Sequence, residues 1–119
     1  MPFRKILADV VANVDGAVAA LFVDHQGEAV EIVGILPAWD LQVIGAYQGI
    51  FMTRIAAVSS SLDHGRPERF KIEWDRSMIL NWGIDQEYYV ALVLRAGSQE
   101  GLAWRALARG RDRIREEIE

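Results

Sequence analysis

The chain has 119 residues, a length that fits one domain built around one hydrophobic core. Residues of the set AVILMFWYC make up 51% of it, which excludes an intrinsically disordered chain. With 13 basic and 17 acidic side chains the formal net charge is -4, so we expect no nucleic-acid partner. The absence of cysteine excludes disulfides, thiolate nucleophiles and zinc–cysteine sites, and it fits a reducing compartment.

The sequence contains no segment typical of a targeting signal or a membrane span. Arg4 and Lys5 resemble the start of a signal peptide, but Asp9 interrupts the apolar stretch that follows them. The longest uncharged apolar run near the start, residues 17–23, is far shorter than the roughly 20 residues that a span needs. We therefore expect a single cytoplasmic domain over residues 1–119, without a membrane span.

The first half of the chain begins with a helix and a hairpin. Residues 3–14 have the apolar spacing of an amphipathic helix, which Asp15-Gly16 ends. Residues 17–24 are almost wholly apolar and predict a buried strand. After a tight turn at residues 25–27, the chain returns over residues 28–34, so the pair predicts a β-hairpin.

A long helix follows over residues 41–62, with Asp40 as its predicted N-cap and Asp63-His64-Gly65 as its predicted stop. The remaining elements are predicted to be three strands and a last helix, at residues 69–75, 78–84, 88–94 and 97–118. The order α-β-β-α-β-β-β-α predicts an α+β domain in which a single sheet carries helices on its faces.

The long helix carries more apolar surface than docking on a sheet requires. One apolar face, which we expect to dock, consists of Leu41, Ile44, Phe51, Ile55, Val58 and Leu62. A second consists of Val43, Tyr47, Ile50 and Ala57, and it is broken by Arg54. Because a surface helix needs only one apolar stripe, we expect the second to pair with the same helix of another copy. The alternative is a fully buried helix in a monomer.

Two further features bear on self-association. Gly45 and Gly49, with small residues beside them, form a strip that another backbone could approach closely. Strand 69–75 is polar on one face, and at a sheet edge it offers a second pairing site unless its charges block pairing. The predicted dimer interface comprises Val43, Tyr47, Ile50, Arg54, Ala57, Phe70 and Ile72.

No recognisable constellation for catalysis, metal binding or cofactor binding appears in the sequence. The two histidines, His25 and His64, lack metal-ligand spacing. Residues 59–61 are the only serine cluster, and no nucleophile-elbow motif surrounds them. No phosphate-binding loop occurs. The arginines of the last helix are interpreted as a solvated charged face or as a site for an acidic partner; they are Arg105, Arg109, Arg111, Arg113 and Arg115.

Residues 14–24 are Val-Asp-Gly-Ala-Val-Ala-Ala-Leu-Phe-Val-Asp, and Gly27 follows them. This pattern resembles the opening of the roadblock/dynein light chain family, "v-x-G-v-x-g-a-l-l-v-d-x-x-G". The element order and the long second helix also correspond, over roughly residues 3–118. The resemblance implies a five-stranded antiparallel sheet of roadblock/profilin-like type with strand order 2-1-5-4-3. It also implies that the second helix lies on one face and the terminal helices on the other, and that dimers pair second helices and third strands.

The resemblance implies a scaffold or regulator of small Ras-like GTPases, without chemistry or cofactor of its own. Bacterial and archaeal relatives resembling the Mgl polarity system activate hydrolysis by reshaping the catalytic groups of the GTPase, so neither Arg54 nor Arg76 is assigned as an inserted arginine. The leading hypothesis is therefore a non-enzymatic homodimeric regulator of a small Ras-like GTPase. A heterodimer with a paralogue remains open.

Two other hypotheses come from different functional classes. The first is a small-molecule sensor domain of profilin-like architecture, for which a buried cavity among Trp74, Trp82 and Tyr88 would be expected. The second is an enzyme, which would depend on His25 or His64.

Overall fold

The computed structural model describes residues 2–65, 67–85 and 87–119. The side chains at positions 38, 39, 41 and 42 lie outside this description, which includes the predicted docking side chain of Leu41. The elements are α1 (Pro2–Ala12), β1 (Ala17–Asp24), β2 (Ala29–Gly34), α2 (Ala38–Leu62), β3 (Arg69–Glu73), β4 (Ser77–Gly83), β5 (Tyr88–Arg95) and α3 (Glu100–Ile118). The predicted order is confirmed.

All five strands form one antiparallel sheet in the order β2-β1-β5-β4-β3, as the resemblance implies. The central strands β1 and β5 are buried along nearly their whole length because helices cover both faces of the sheet. Side chains of β1 alternate between two core layers: Ala20 and Phe22 pack with α1 and α3, and Leu21 and Val23 pack beneath α2. The terminal helices thus share one face, and α2 lies on the other.

The α1–α3 layer depends on a close crossing of the two helices. A Cβ added to Gly110 would lie 2.5 Å from Val10 Cγ2, so α3 can approach α1 only with glycine there. Arg113 Nη1 donates to Asp9 Oδ2 at 2.9 Å. Arg111 Nε donates to Gly83 O at 2.7 Å and Arg115 Nη2 donates to Ile84 O at 2.9 Å. The interpretation of a solvated face is therefore wrong for Arg111 and Arg115, which are half-buried, whereas Arg113 is exposed and its ion pair with Asp9 lies at the surface.

The N-terminal end of α2 differs from the prediction, whereas the helix ends at Leu62 as predicted. The helix starts at Ala38 after Pro37, whose φ of -55° and ψ of 142° give an extended N-cap without a side-chain hydrogen bond. Asp40 is therefore not the N-cap; it lies in the first turn, where its carboxylate suits the positive end of the helix dipole. At the other end Asp63, within the predicted stop, is the C-cap, and its left-handed φ of 56° turns the chain so that His64 N–H donates to Ser59 O at 3.2 Å. Asp63 N–H donates to Ser60 O at 3.3 Å.

The other boundaries shift by a few residues, as helix and strand ends commonly do. Helix α1 ends at Ala12 and β3 ends at Glu73, both earlier than predicted. Helix α3 starts at Glu100, after a turn in which Gly97 has a φ of +85°.

The side of α2 that docks on the sheet is not the predicted one. Its buried residues are Gly45, Gln48, Gly49 and Met52. In the predicted docking face, Ile44 and Ile55 are half-buried, whereas Phe51, Val58 and Leu62 are exposed. Two glycines dock beside Gln48 and Met52, in place of Phe51, Val58 and Leu62, because this part of the helix rests on backbone.

That backbone belongs to the β1–β2 turn of the same chain. A Cβ on Gly49 would lie 2.8 Å from Gly27 N, and a Cβ on Gly27 would lie 2.8 Å from Ala46 Cα. Gly27 also has a φ of +84°, which side-chain-bearing residues rarely adopt. The predicted close approach of a second backbone therefore occurs within the chain.

Gly49→Ala is expected to lower the free energy of unfolding by about 1–3 kcal/mol, because the new methyl group overlaps the Gly27 backbone. Urea denaturation measures the change. Gly101→Ala is the matched control: its Cβ meets nothing within 4 Å, so it should raise stability by about 0.5–1 kcal/mol through helix preference. Equal effects of the two substitutions would show that the contact with Gly27 does not limit the packing of α2.

Candidate interaction surface

The side of α2 that faces away from the sheet carries exposed apolar residues. We call this the outer face; it consists of Val43, Tyr47, Ile50, Arg54 and Ala57. Tyr47 is 59% and Ile50 is 48% exposed, Arg54 and Ala57 are also exposed, and Val43 is half-buried. A single chain therefore leaves this face uncovered. The alternative of a helix fully buried in the monomer is wrong.

Strand β3 forms an open edge of the sheet. Its ladder to β4 is closed at the ends by Trp74 N–H to Ser77 O and Gly83 N–H to Glu68 O, each at 2.8 Å. In an antiparallel ladder every second residue bonds to the neighbouring strand. The N–H and C=O groups of Arg69, Lys71 and Glu73 therefore point outward, where another strand can pair with them.

The charged side chains of β3 lean toward α3. Lys71 Nζ lies 2.7 Å from both Glu73 Oε1 and Glu100 Oε1. Hydrogen bonds to Glu100 and Glu73 raise the pKa of Lys71 to about 12, and the bond from Lys71 lowers the pKa of Glu100. The Arg69 guanidinium carbon lies 4.8 Å from the ring centroids of both Trp82 and Trp104. These contacts hold Lys71 and Arg69 on one face of the sheet.

The opposite edge of the sheet, β2, is partly covered by α1. Arg4 Nη1 lies 3.3 Å from Ile32 O and 3.2 Å from Glu31 Oε1. The Arg4 guanidinium donates to a carbonyl oxygen that an added strand would need as a hydrogen-bond acceptor. Of the two sheet edges, β3 is thus the one better prepared for pairing.

The predicted interface residues of β3 face α2. Phe70 and Ile72 are half-buried, and the Phe70 ring lies 6.3 Å from the Phe51 ring, edge to face. Ile72 meets Val43 and Tyr47 in a cleft of about 270 Å³ between the helix and the strand. The structure thus brings Val43, Tyr47 and Ile72 together at one cleft, whereas Ile50 and Arg54 border a second cleft beside His25 and Gln26 of the β1–β2 turn.

One residue of this cleft, Gln48, was missed by the sequence analysis. It is 2% exposed, and neither its Nε2 nor its Oε1 has a hydrogen-bond partner. Leaving such a group unpaired costs about 1–3 kcal/mol. The available signal was its spacing: Gln48 lies four residues from both Ile44 and Met52, so on a helix it shares their apolar side.

Comparison with known proteins places this geometry in a known fold. No family model and no curated protein matches the sequence. Among solved structures, Myxococcus xanthus MglB superposes with a TM-score of 0.90 at 8% identity, over 99% of this chain and 95% of that chain. A roadblock/LC7 domain from Streptomyces avermitilis gives 0.89 at 12% identity, over 97% of this chain and 96% of that chain. The chain has the roadblock/LC7 fold.

A third structure is described as MglB with a tetrameric arrangement. Its TM-score is 0.86 at 15% identity, over 97% of this chain and 86% of that chain. Identities this low establish the roadblock fold alone, so the function has to be argued from the surface.

The cavity expected for a sensor does not form among the three aromatic residues named for it. Trp74 lies on the α2 side of the sheet, where it lines the cleft with Ile72. Trp82 and Tyr88 pack in the layer formed with α1 and α3. Trp82 lies opposite Arg69 in the register, and directly opposed residues share a face, so it points away from the side that Phe70 and Ile72 occupy.

The residues considered for chemistry are dispersed in the roadblock fold. His25 is exposed in the β1–β2 turn and His64 is exposed beyond the end of α2. The Ser61 hydroxyl donates to Val58 O at 2.8 Å. Among the described residues, no group of three or more His, Asp or Glu side chains is placed to hold a metal ion. In the same part of the chain, no helix has both the length and the apolar character needed to cross a bilayer.

Proposed function

We propose that this protein is a homodimeric, non-enzymatic scaffold that regulates a small Ras-like GTPase. The observation that carries the proposal is the apolar outer face of α2 next to the open edge of β3. The sequence resemblance implies dimers through the second helix and the third strand, and a similar MglB structure has a tetrameric arrangement.

A two-fold axis beside α2 would let both surfaces act together. The outer faces of two copies would cover Tyr47 and Ile50, and each such side chain contributes roughly 1.5–3 kcal/mol before the cost of association. The outward N–H and C=O groups of Arg69, Lys71 and Glu73 would continue the sheet into the second copy. This arrangement would place the predicted interface residues between the two copies; they are Val43, Tyr47, Ile50, Arg54, Ala57, Phe70 and Ile72.

The regulatory role is supported by the sequence resemblance and by the likeness of the fold to MglB structures. A dimer of this kind would act on the GTPase by holding its switch segments in one conformation, so that the GTPase supplies the reacting groups. Arg54 is exposed on the outer face and Arg76 is exposed in the β3–β4 turn. The proposal gives neither of them a catalytic role.

Ile50→Asp is expected to weaken the dimer about 100-fold or more, because it places an unpaired charge in an apolar interface on each copy. Light scattering on a dilution series should give twice the chain mass of 13.4 kDa for the wild type and the monomer mass for the variant. Leu102→Asp is the matched control, since Leu102 is 51% exposed at the start of α3. A dimer that survives Ile50→Asp unchanged would place the interface elsewhere.

Lys71→Pro tests pairing through the β3 edge. It removes an N–H that points outward and leaves the ladder to β4 intact, so the dimer should dissociate while the fold persists by circular dichroism. Lys71→Met keeps the N–H and loses the ion pairs, so it controls for charge. Ile72→Pro removes a bond to β4 and should destabilise the monomer itself. If Lys71→Pro dimerises as well as Lys71→Met, β3 does not pair.

The GTPase partner is tested with the Ras-like GTPases of the same genome. Calorimetry should detect binding of the wild-type dimer to one of them, and its GTP hydrolysis rate should change by about tenfold or more. Ile50→Asp should lose this effect, whereas Leu102→Asp should keep it. A wild-type dimer that binds none of them would falsify the regulatory role and leave the dimer standing.

A further inference from the structure

An apolar groove lies on the α2 side of the sheet, at the end where β3 turns into β4. It has a volume of about 420 Å³ and adjoins the smaller cleft between α2 and β3. None of the predicted interface residues lines it, so it is distinct from the predicted dimer interface. Its apolar wall is formed by Val18, Leu36, Ile44, Trp74, Ile79 and Val93.

Two arginines border this groove. Val93 of β5 packs in the layer beneath α2, and Arg95, two residues further along the same strand, lies on the same face of the sheet. Arg76 lies in the β3–β4 turn. A hydrogen bond of 3.1 Å from Ala96 N–H to Arg76 O joins this turn to the end of β5, so both arginines belong to one end of the groove.

The charge of these arginines is not compensated within the chain. Both side chains are exposed, and neither guanidinium belongs to an ion pair among the described residues. No acidic side chain lines the groove. The chain as a whole has a net charge of -4, so this end of the groove differs in sign from the rest of the molecule. Its complement is a carboxylate, which a guanidinium binds with two parallel hydrogen bonds.

The groove is open along its side. Trp74 is 50% exposed, and both arginines are exposed beside it. A small-molecule site encloses about 70–90% of its ligand, which this groove does not do. Exposed tryptophan and arginine side chains are instead typical of the residues that contribute most to protein–protein binding. The groove therefore fits a peptide segment better than an enclosed small ligand.

We propose that this groove binds an acidic segment of a partner protein, in which a large apolar side chain is followed by two carboxylates. The apolar side chain packs against Ile44, Trp74 and Ile79. The carboxylates pair with Arg76 and Arg95 at the end of the groove. Because these ion pairs lie at the surface, their contribution falls as the salt concentration rises.

The peptide site is separable from the proposed dimer and from its GTPase. Ile50 does not line the groove, so the Ile50→Asp variant should bind the peptide with an affinity within about threefold of the wild type. Loss of the dimer or of GTPase regulation would therefore leave the peptide site standing, and loss of the peptide site would leave the dimer standing.

The test is calorimetric titration of the full chain with four synthetic peptides, acetyl-Gly-Ser-Xaa-Glu-Asp-Ser-Gly-amide, in which Xaa is Leu, Ile, Phe or Trp. At least one should bind saturably at one site per chain. It should bind at least about tenfold tighter than its two control peptides, which carry Gln-Asn in place of Glu-Asp or Ser in place of Xaa. Absence of saturable binding, or equal binding of either control, would overturn the proposal. Decanoate that binds more tightly than all four peptides would assign the groove to a small carboxylate instead.

Two matched pairs of variants assign the contacts. Arg76→Gln/Arg95→Gln should weaken peptide binding about tenfold or more, whereas Arg105→Gln/Arg109→Gln, which changes two exposed arginines of α3, should leave it unchanged.

Trp74→Ala should also weaken binding about tenfold, whereas Leu102→Ala, at a side chain that is 51% exposed, should not. Circular dichroism establishes that each variant is folded. Equal losses within either pair would contradict the assignment.

Discussion

The close backbone contact between Gly27 and Gly49 determines where α2 lies, and much of the surface follows from it. Because no side chain separates helix from turn, α2 rests mainly on β1 and β2. The half of the sheet formed by β3 and β4 is then less completely covered on this face. The large apolar residues of the helix, Tyr47 and Ile50 among them, point away from the sheet. The outer face and the cleft between α2 and β3 both follow from this one short-range steric constraint.

The elements that were predictable are those in which side chains alternate regularly. The alternation in β3 and β4 placed Phe70 and Ile72 on one face, and the element order was enough to indicate the fold. The docking side of α2 was not predictable from hydrophobicity, because glycines dock there and carry no apolar signal. The sequence analysis did not predict that Trp74 and Trp82 lie on opposite faces of the sheet. Their relative placement depends on the register between strands, which a single sequence does not contain.

The exposed apolar residues of α2 were more predictable than the clefts between α2 and the sheet. Tyr47, Ile50 and Ala57 were identifiable because they exceed the apolar area that one docking face requires. The clefts combine side chains that lie far apart in sequence and meet only through the fold, such as Gln48 with Ile72 in one cleft and Arg76 with Arg95 in another. At the low identities of the structural neighbours, such side chains are where proteins of one fold differ in function.

The unequal edges of the sheet have a consequence for how assembly stops. Arg4 occupies the carbonyl of Ile32 on β2, whereas the outward groups of β3 remain free. When two copies pair through β3, the joined sheet would have β2 at both of its edges. Arg4 protects each of these edges, so no further strand would add there. Pairing through β3 would therefore be self-limiting, and it would avoid the open-ended polymerisation that a sheet with two unprotected edges allows.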